Sequence, residues 1–310
     1  MGTKYMITDY APIGYKNIEG DIYINDNVLP IGYSTPKILD YNTYENLDYP
    51  EKAYALSTNI ILDTKEIEYK SMTKEENIGY EAIYDNITLD KEDEKYIINS
   101  QNNGNMTINL DKKYENKILF ITFDMEYSES CKIGDTSITI NGVKNTLACR
   151  TWTYHNKNYK FEYTISGSRL DITFAKGKYI ISNIKTYTLD YDHIINFVNN
   201  VDEFKIDKEK TVGDEIVGEI NVNENGYFIL TVPYEEKGFT IYLDEHEIPY
   251  ERVNDAFIGF PIHEGHHNIR ISYTSPYLSQ GLVISMIGFM IYIPFIYSDI
   301  FKKKTKVKNK

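Results

Sequence analysis

Cysteine is nearly absent from this chain: only Cys131 and Cys149 occur among 310 residues. That excludes a disulfide scaffold, so apolar cores must hold the fold. Outside a cell the two cysteines are free to pair, and two unpaired, partly buried thiols fit the sequence equally. Tryptophan is scarcer still, with Trp152 alone against 29 tyrosines. Positive charge is in deficit, with 33 Lys and Arg against 46 Asp and Glu, and a net charge of −13. Phosphate recognition needs Lys and Arg gathered on one face, so this balance argues against nucleic acid as a partner. The first 20 residues lack an apolar h-region and contain Asp9 and Glu19, so they do not read as a signal peptide. P-loop, nucleophile-elbow, dinucleotide and EF-hand spacings are missing, as is any repeat of fixed period. No cofactor is expected from these patterns.

What is present is apolar and aromatic material: 42% hydrophobic and 14% aromatic residues. This is enough for sizeable cores, in a length that suggests about two domains. The most distinctive stretch is C-terminal. No charged residue occurs from Ile271 to Ser298, and six of the nine residues from Lys302 to Lys310 are lysine. The apolar stretch, carried on to Phe301, gives roughly 20 residues, or about 30 Å of helix, enough to cross a hydrocarbon core. A core helix would show a polar face, and this one shows none. Tyr277, Tyr292 and Tyr297 are placed as interface anchors. The lysine run puts the tail in the cytoplasm by the positive-inside rule, with everything before about residue 278 outside. A long domain without an export signal is not expected to cross on one late helix. The chain is therefore expected to be the end of a longer membrane protein, with the bilayer and an upstream multi-helix domain as partners.

Along the chain, Lys4–Thr8 and Asp21–Ile24 read as short strands, and Pro50 opens a predicted helix running to about Ile61. Residues 63–95 are charged with weak periodicity, though Glu66-Ile67-Glu68-Tyr69 alternates. Asn102-Asn103-Gly104-Asn105 reads as a turn. From about Tyr96 onward, short strands follow one another. Lys117–Tyr127 alternates cleanly, and Asn141-Gly142 is a hairpin signal. Asp192–Asn200 reads as a connecting helix, and a second strand set begins near Phe204. The expected fold is mainly β: an antiparallel jelly-roll or sandwich over 96–190, a connector at 191–203 and a smaller β-sandwich-like module over 204–275. A short α+β segment (1–95) precedes them. The membrane helix (278–301) and basic tail (302–310) follow.

Three patterns are candidates for chemistry. His263-Glu264-Gly265-His266-His267 fits HExxH, which binds zinc only when both histidines lie one helical turn apart. Pro261, Gly265 and the alternating run after it favour a hairpin instead, so no metal site is expected. Asn25-Asp26-Asn27 reads as a turn rather than a calcium loop. Trp152 and Tyr154, two apart, share one face of a strand and form a candidate sugar platform, against the commoner role of such pairs in a core.

The second strand set carries a resemblance. Gly226-Tyr227-Phe228-Ile229-Leu230-Thr231-Val232-Pro233-Tyr234, Lys237-Gly238-Phe239-Thr240-Ile241-Tyr242-Leu243-Asp244, Asn254-Asp255-Ala256-Phe257-Ile258-Gly259, Glu264-Gly265-His266-His267-Asn268-Ile269 and the Ser275-Pro276 approach to Gly281 fall in the order and spacing of one family. They resemble the C-terminal end of the YfhO family of bacterial polytopic membrane proteins. Weaker matches at Lys4–Ile7, Asn27–Tyr33 and Ala53–Ile61 extend the likeness upstream. Phe239 and Glu245 depart from the family's usual Trp and Gly. The resemblance implies a part in glycosylating cell-envelope polymers, of the lipoteichoic acid type, from a polyprenyl-phosphate sugar. The family's catalytic helices and their acidic residue are not in this sequence, so no catalytic residue carries over. The chain is expected to be an extracytoplasmic accessory region and anchor, with a glycopolymer as a further partner. The alternative is a membrane-anchored carbohydrate-binding protein without enzymatic activity.

Overall fold

The computed structural model describes residues 3–10, 12–65, 68–127, 136–147 and 160–308. Antiparallel strands dominate it, as expected, and they form two bodies with a joint between them. The larger body is built around Lys117–Tyr127. Leu119, Ile121, Phe123 and Met125 bury one face of that strand, and Ile118, Phe120 and Thr122 bury the other. A strand apolar on both faces lies between two layers. Its sheet neighbours are Lys160–Ser166 and Gly177–Asp190. Beyond these follow Lys95–Asn109, Arg169–Phe174, Thr136–Ile140 and Val143–Leu147. The two end strands, Val143–Leu147 and Lys160–Ser166, approach each other again. Across the interior the Tyr163 hydroxyl donates to the Ile138 carbonyl at 2.7 Å. The sheet is a near-barrel. The Asn141-Gly142 hairpin forms as expected, with φ of 48° and 83°.

Asn102-Asn103-Gly104-Asn105 is not a turn between strands. It lies inside the single strand Lys95–Asn109, both halves of which pair with Glu81–Glu92. The extra residues bulge opposite Asn86, with Asn102 and Asn103 at φ of 55° and 58°. The Ser100 hydroxyl accepts from the Gly104 amide at 2.8 Å and donates to the Phe174 carbonyl at 3.0 Å. A Cβ at Gly104 would stand 2.5 Å from Ile87 Cγ1, so local hydrogen bonding and close approach turn a turn-like sequence into a bulge. Residues 81–92, which lack clear periodicity, are consequently an outer strand of the near-barrel. Glu66 and Ile67 lie outside the described residues, and no strand is found at 68–70.

The smaller body is a sandwich of two five-stranded sheets with Phe204, Phe228, Phe260, Ile241 and Ile269 in its core. One of its strands comes from far away. Gly32–Thr35 inserts between Asp202–Glu203 and Gly226–Pro233, and all four of its residues are buried. At four residues, three of them Gly, Ser and Thr, it is too short and too polar a run for the sequence pattern to mark.

Between the bodies lies a joint. The helix predicted to reach Ile61 ends at Thr58, and Ile60–Leu62 is instead a buried strand parallel to Ile38–Asp40. The β-branched pair Ile60-Ile61 suits that strand. Tyr54 of the helix Glu51–Thr58 packs on Ile118, Phe120 and Leu189 of the near-barrel. Asn254 of the sandwich accepts from the Ile61 amide at 2.6 Å and returns its own amide to the Ile61 carbonyl at 2.9 Å. The helix Asp192–Asn199, close to its expected span, sets Phe197 edge-on to Tyr33, with ring centroids 6.4 Å apart.

Candidate functional site

The expected sugar platform, Trp152 and Tyr154, lies outside the described residues, as do Cys131 and Cys149. The HExxH match lies on the connection between Phe257–Ile262 and Gly265–Tyr273, which belong to different sheets of the sandwich, so it is a crossing between sheets and not the expected hairpin. His267 Nδ1 bonds Asp244 Oδ2 at 2.7 Å, and its Nε2 bonds the His263 carbonyl at 3.0 Å. Both ring nitrogens therefore have protein partners. Burial opposes charge on Asp244, but the Asn268 amide and His267 outweigh it and hold the carboxyl below its usual range. This is turn chemistry rather than a zinc site. Among the described residues no cluster of three or more His, Cys, Asp or Glu is placed to hold a metal ion.

A concavity lined by core residues lies in the near-barrel. A cavity of about 510 Å³ lies along its inner face. The deep wall is apolar and supplied by many strands, including Ile98, Ile121, Phe123, Ile140 and Ile172, all of which are buried. Toward solvent the lining changes character. Tyr80, Tyr84 and Ile184 are exposed, and Lys91, Asp93 and Glu94 stand beside them. Lys91 Nζ lies 5.3 Å from the centre of the Tyr96 ring. Burial first, and then the neighbouring Tyr96 and Tyr84, push the Tyr80 phenol up. The site can sequester an apolar group and hydrogen-bond a polar one at its mouth. Among the described lining residues no nucleophile–base pair stands at its depth, and the apolar wall with a polar mouth suits binding. Sequence reasoning missed it because Tyr80, Tyr84 and Lys91 fall in the stretch without periodicity.

The joint holds one further polar centre. The Glu51 carboxylate is buried and accepts from the Tyr69 hydroxyl at 2.6 Å, the Ser71 hydroxyl at 2.7 Å and the amides of Met72 and Thr73 at 3.0 and 3.1 Å. Burial works to raise its pKa, yet the hydrogen bonds from Thr73, Tyr69, Ser71 and Met72 prevail and hold it below the ordinary value. Glu51 thereby fastens the segment leading into Lys74–Glu75, which pairs with the near-barrel strand Gly177–Asp190.

From the sandwich strand Gly265–Tyr273 the chain passes through Pro276 into the helix Leu278–Lys308. Its apolar span, Leu278–Tyr297, is long enough to cross a membrane, and none of that span is buried in the protein. Leu282, Ile284, Phe289, Met290 and Phe295 are each more than half exposed. An isolated apolar helix of this length finds its solvent in lipid. The family model described as "Bacterial membrane protein YfhO" matches residues 1–285. The chain belongs to the YfhO family. It is a membrane protein of that family, anchored by its C-terminal apolar helix. One YfhO relative, the "Uncharacterized protein YfhO" of Bacillus subtilis (strain 168), is 27% identical over 127 residues, which is 41% of this chain. That match spans 15% of the relative's own length. Among solved structures, a conserved protein of unknown function from Pseudomonas aeruginosa PAO1 aligns at 8% identity over 64% of this chain and 93% of its own, with a TM-score of 0.19. A cupin 2 conserved barrel domain protein from Leptotrichia buccalis aligns at 12% identity over 66% of this chain and 100% of its own, with a TM-score of 0.14. Both scores are too low to carry an argument.

The residues that carry the YfhO resemblance have structural work in the sandwich. A Cβ at Gly226 would stand 2.4 Å from the Thr35 carbonyl oxygen, so this position lets the inserted strand close in. Asn254, at φ 49°, makes the bond to Ile61 that seats the joint. Glu245, where the family usually has Gly, sits at φ 68° in the turn after Asp244.

Proposed function

We propose that this chain is the extracytoplasmic accessory region and membrane anchor of a YfhO-type protein that takes part in glycosylating cell-envelope polymers. In this reading a multi-helix membrane domain performs the transfer from a polyprenyl-phosphate sugar. The near-barrel and sandwich hold the acceptor polymer close to that domain. The observation that carries the reading is the direct passage from a sandwich strand into the apolar helix Leu278–Tyr297, within a stretch that matches the YfhO family. The lysines that follow the apolar span, most of them in the last turns of the same helix, support a cytoplasmic C-terminus.

Topology is tested by single-cysteine labelling in cells, with Cys131 and Cys149 replaced by serine. Glu245→Cys, on an exposed hairpin turn, is expected to react with a membrane-impermeant maleimide in intact cells. Lys308→Cys is expected to react only after permeabilisation. The reverse pattern sinks the orientation. The glycosylation role is tested by the sugar content of envelope polymers after deletion of the gene. A content equal to the parent strain removes that role and leaves the anchor.

A further inference from the structure

The cavity of the near-barrel is not used by the proposed role, and its lining is graded in a way that specifies a ligand. Protein interiors are close-packed and leave few voids larger than a water molecule. A concavity of about 510 Å³, open to solvent on one side and walled at depth by Ile, Leu, Met and Phe side chains, leaves more room than that. Water is a poor occupant, because a buried water needs two to four polar partners and the deep wall offers apolar carbon. The volume lies within the range of about 300–1,000 Å³ found for small-molecule sites.

The mouth narrows the choice of head group. Tyr80, Tyr84 and Tyr96 present rings and hydroxyls there, with Asn77 and Asn183 adding amides. Among the described lining residues Lys91 is the one cation, with Asp93 and Glu94 as the anions. These residues carry no surplus of positive charge to hold a phosphate or carboxylate. The mouth does offer flat aromatic faces and both donors and acceptors, which suit a ring bearing hydroxyl groups. Supply is provided by the chain itself, since its apolar helix places the body at a bilayer.

We infer that the near-barrel binds an amphiphile, with one hydrocarbon chain in the apolar lumen and an uncharged, hydroxylated head at the tyrosine mouth. This does not rest on the orientation or the polymer chemistry proposed above, so either can fail alone.

The test uses the full chain in phospholipid nanodiscs and a dodecyl glucoside with a diazirine at the end of its alkyl chain. Adducts are mapped by peptide mass spectrometry after irradiation. Labelling is expected on Lys95–Asn109 and Arg169–Phe174, and unlabelled dodecyl glucoside is expected to compete about tenfold better than dodecyl sulfate or glucose. Ile172→Trp, which adds bulk to the lumen, is expected to cut that labelling about tenfold while labelling of the membrane helix is unchanged. Tyr84→Ala alters an exposed side chain without touching the core and is expected to weaken competition by the glucoside about fivefold. It decides the matter should Ile172→Trp fail to fold. Adducts confined to 278–297 would overturn the lumen site. Equal competition by dodecyl sulfate, or a Tyr84→Ala protein indistinguishable from the parent, would overturn the head-group assignment.

Discussion

In the sandwich, Phe228 and Phe260 stack with centroids 4.7 Å apart, and Phe204 meets Phe228 edge-on at 5.5 Å. In the near-barrel, Phe123 stacks on Phe161 at 5.5 Å, yet the same interior keeps a cavity of about 510 Å³. The residue types are alike; what differs is which residues line the open space. In the sandwich, glycine at 226 lets the inserted strand Gly32–Thr35 close in on Gly226–Pro233 within one sheet, and a concavity of about 460 Å³ is lined by Asp214, Pro233, Tyr234, Glu235 and Tyr273 among others. In the near-barrel the concavity is walled by core residues from many strands, Ile98, Ile121, Phe123, Ile140 and Ile172 among them. The sandwich leads directly into the membrane helix and suits a mount. The near-barrel has the core-walled room that binding requires.

Truncations in the two bodies sharpen this contrast. Phe228→Ala is expected to cost about 3–5 kcal/mol, because a fully packed core cannot collapse onto the lost ring. Hydrogen exchange of the full chain in micelles should show lost protection in Gly226–Pro233 and Phe257–Ile262. Ile172→Ala in the lumen wall is expected to cost about 2 kcal/mol, the low end for such a change, since one side of Ile172 already borders free volume. Protection in Arg169–Phe174 reads it. If Ile172→Ala proves the more costly, the lumen is packed and the contrast fails.

The joint is expected to respond next. Glu51→Gln keeps shape but leaves one acceptor oxygen facing several donors, at a cost of about 1.5 kcal/mol. The amides of Met72 and Thr73 should lose protection while both cores keep theirs. The sign of the pH effect follows from the lowered carboxyl. The contribution is complete above the ordinary carboxylate value of about 4.3 and is lost as pH falls through the lower folded-state value. Release of 69–73 on raising pH instead would contradict it. The smallest effect is expected at the surface. Arg169 and Asp171 pair at 2.9 Å but are both exposed, so Arg169→Ala should change stability by no more than about 0.5 kcal/mol in salt. A larger loss would mean that the pair organises the strand edge.

Much of the β architecture was legible from long runs of β-branched and aromatic residues bounded by turn signals. Lys117–Tyr127, though buried on both faces, and the Asn141-Gly142 hairpin announce themselves in that way. Gly32–Thr35 and Ile60–Leu62 do not, since three or four residues are too few to set a pattern. The turn expected at residues 102–105 failed for a different reason. Asn and Gly specify positive φ equally for a hairpin and for a bulge. Only the pairing of both flanks with Glu81–Glu92 separates the two. The candidate site was illegible, because its walls are ordinary core residues and its mouth comes from an unpatterned stretch.

By itself, the sequence determined what is local: strand periods, hairpin turns, the family blocks in the sandwich, and an apolar helix too long and too uniform for a soluble core. Those follow from spacing along one chain. The tertiary structure alone decided what depends on residues far apart. It brought residues 32–35 between 202–203 and 226–233, bonded Ile61 to Asn254, and set the near-barrel wide enough to leave a cavity. Packing distance between sheets is set by all their side chains together, and no local pattern encodes it.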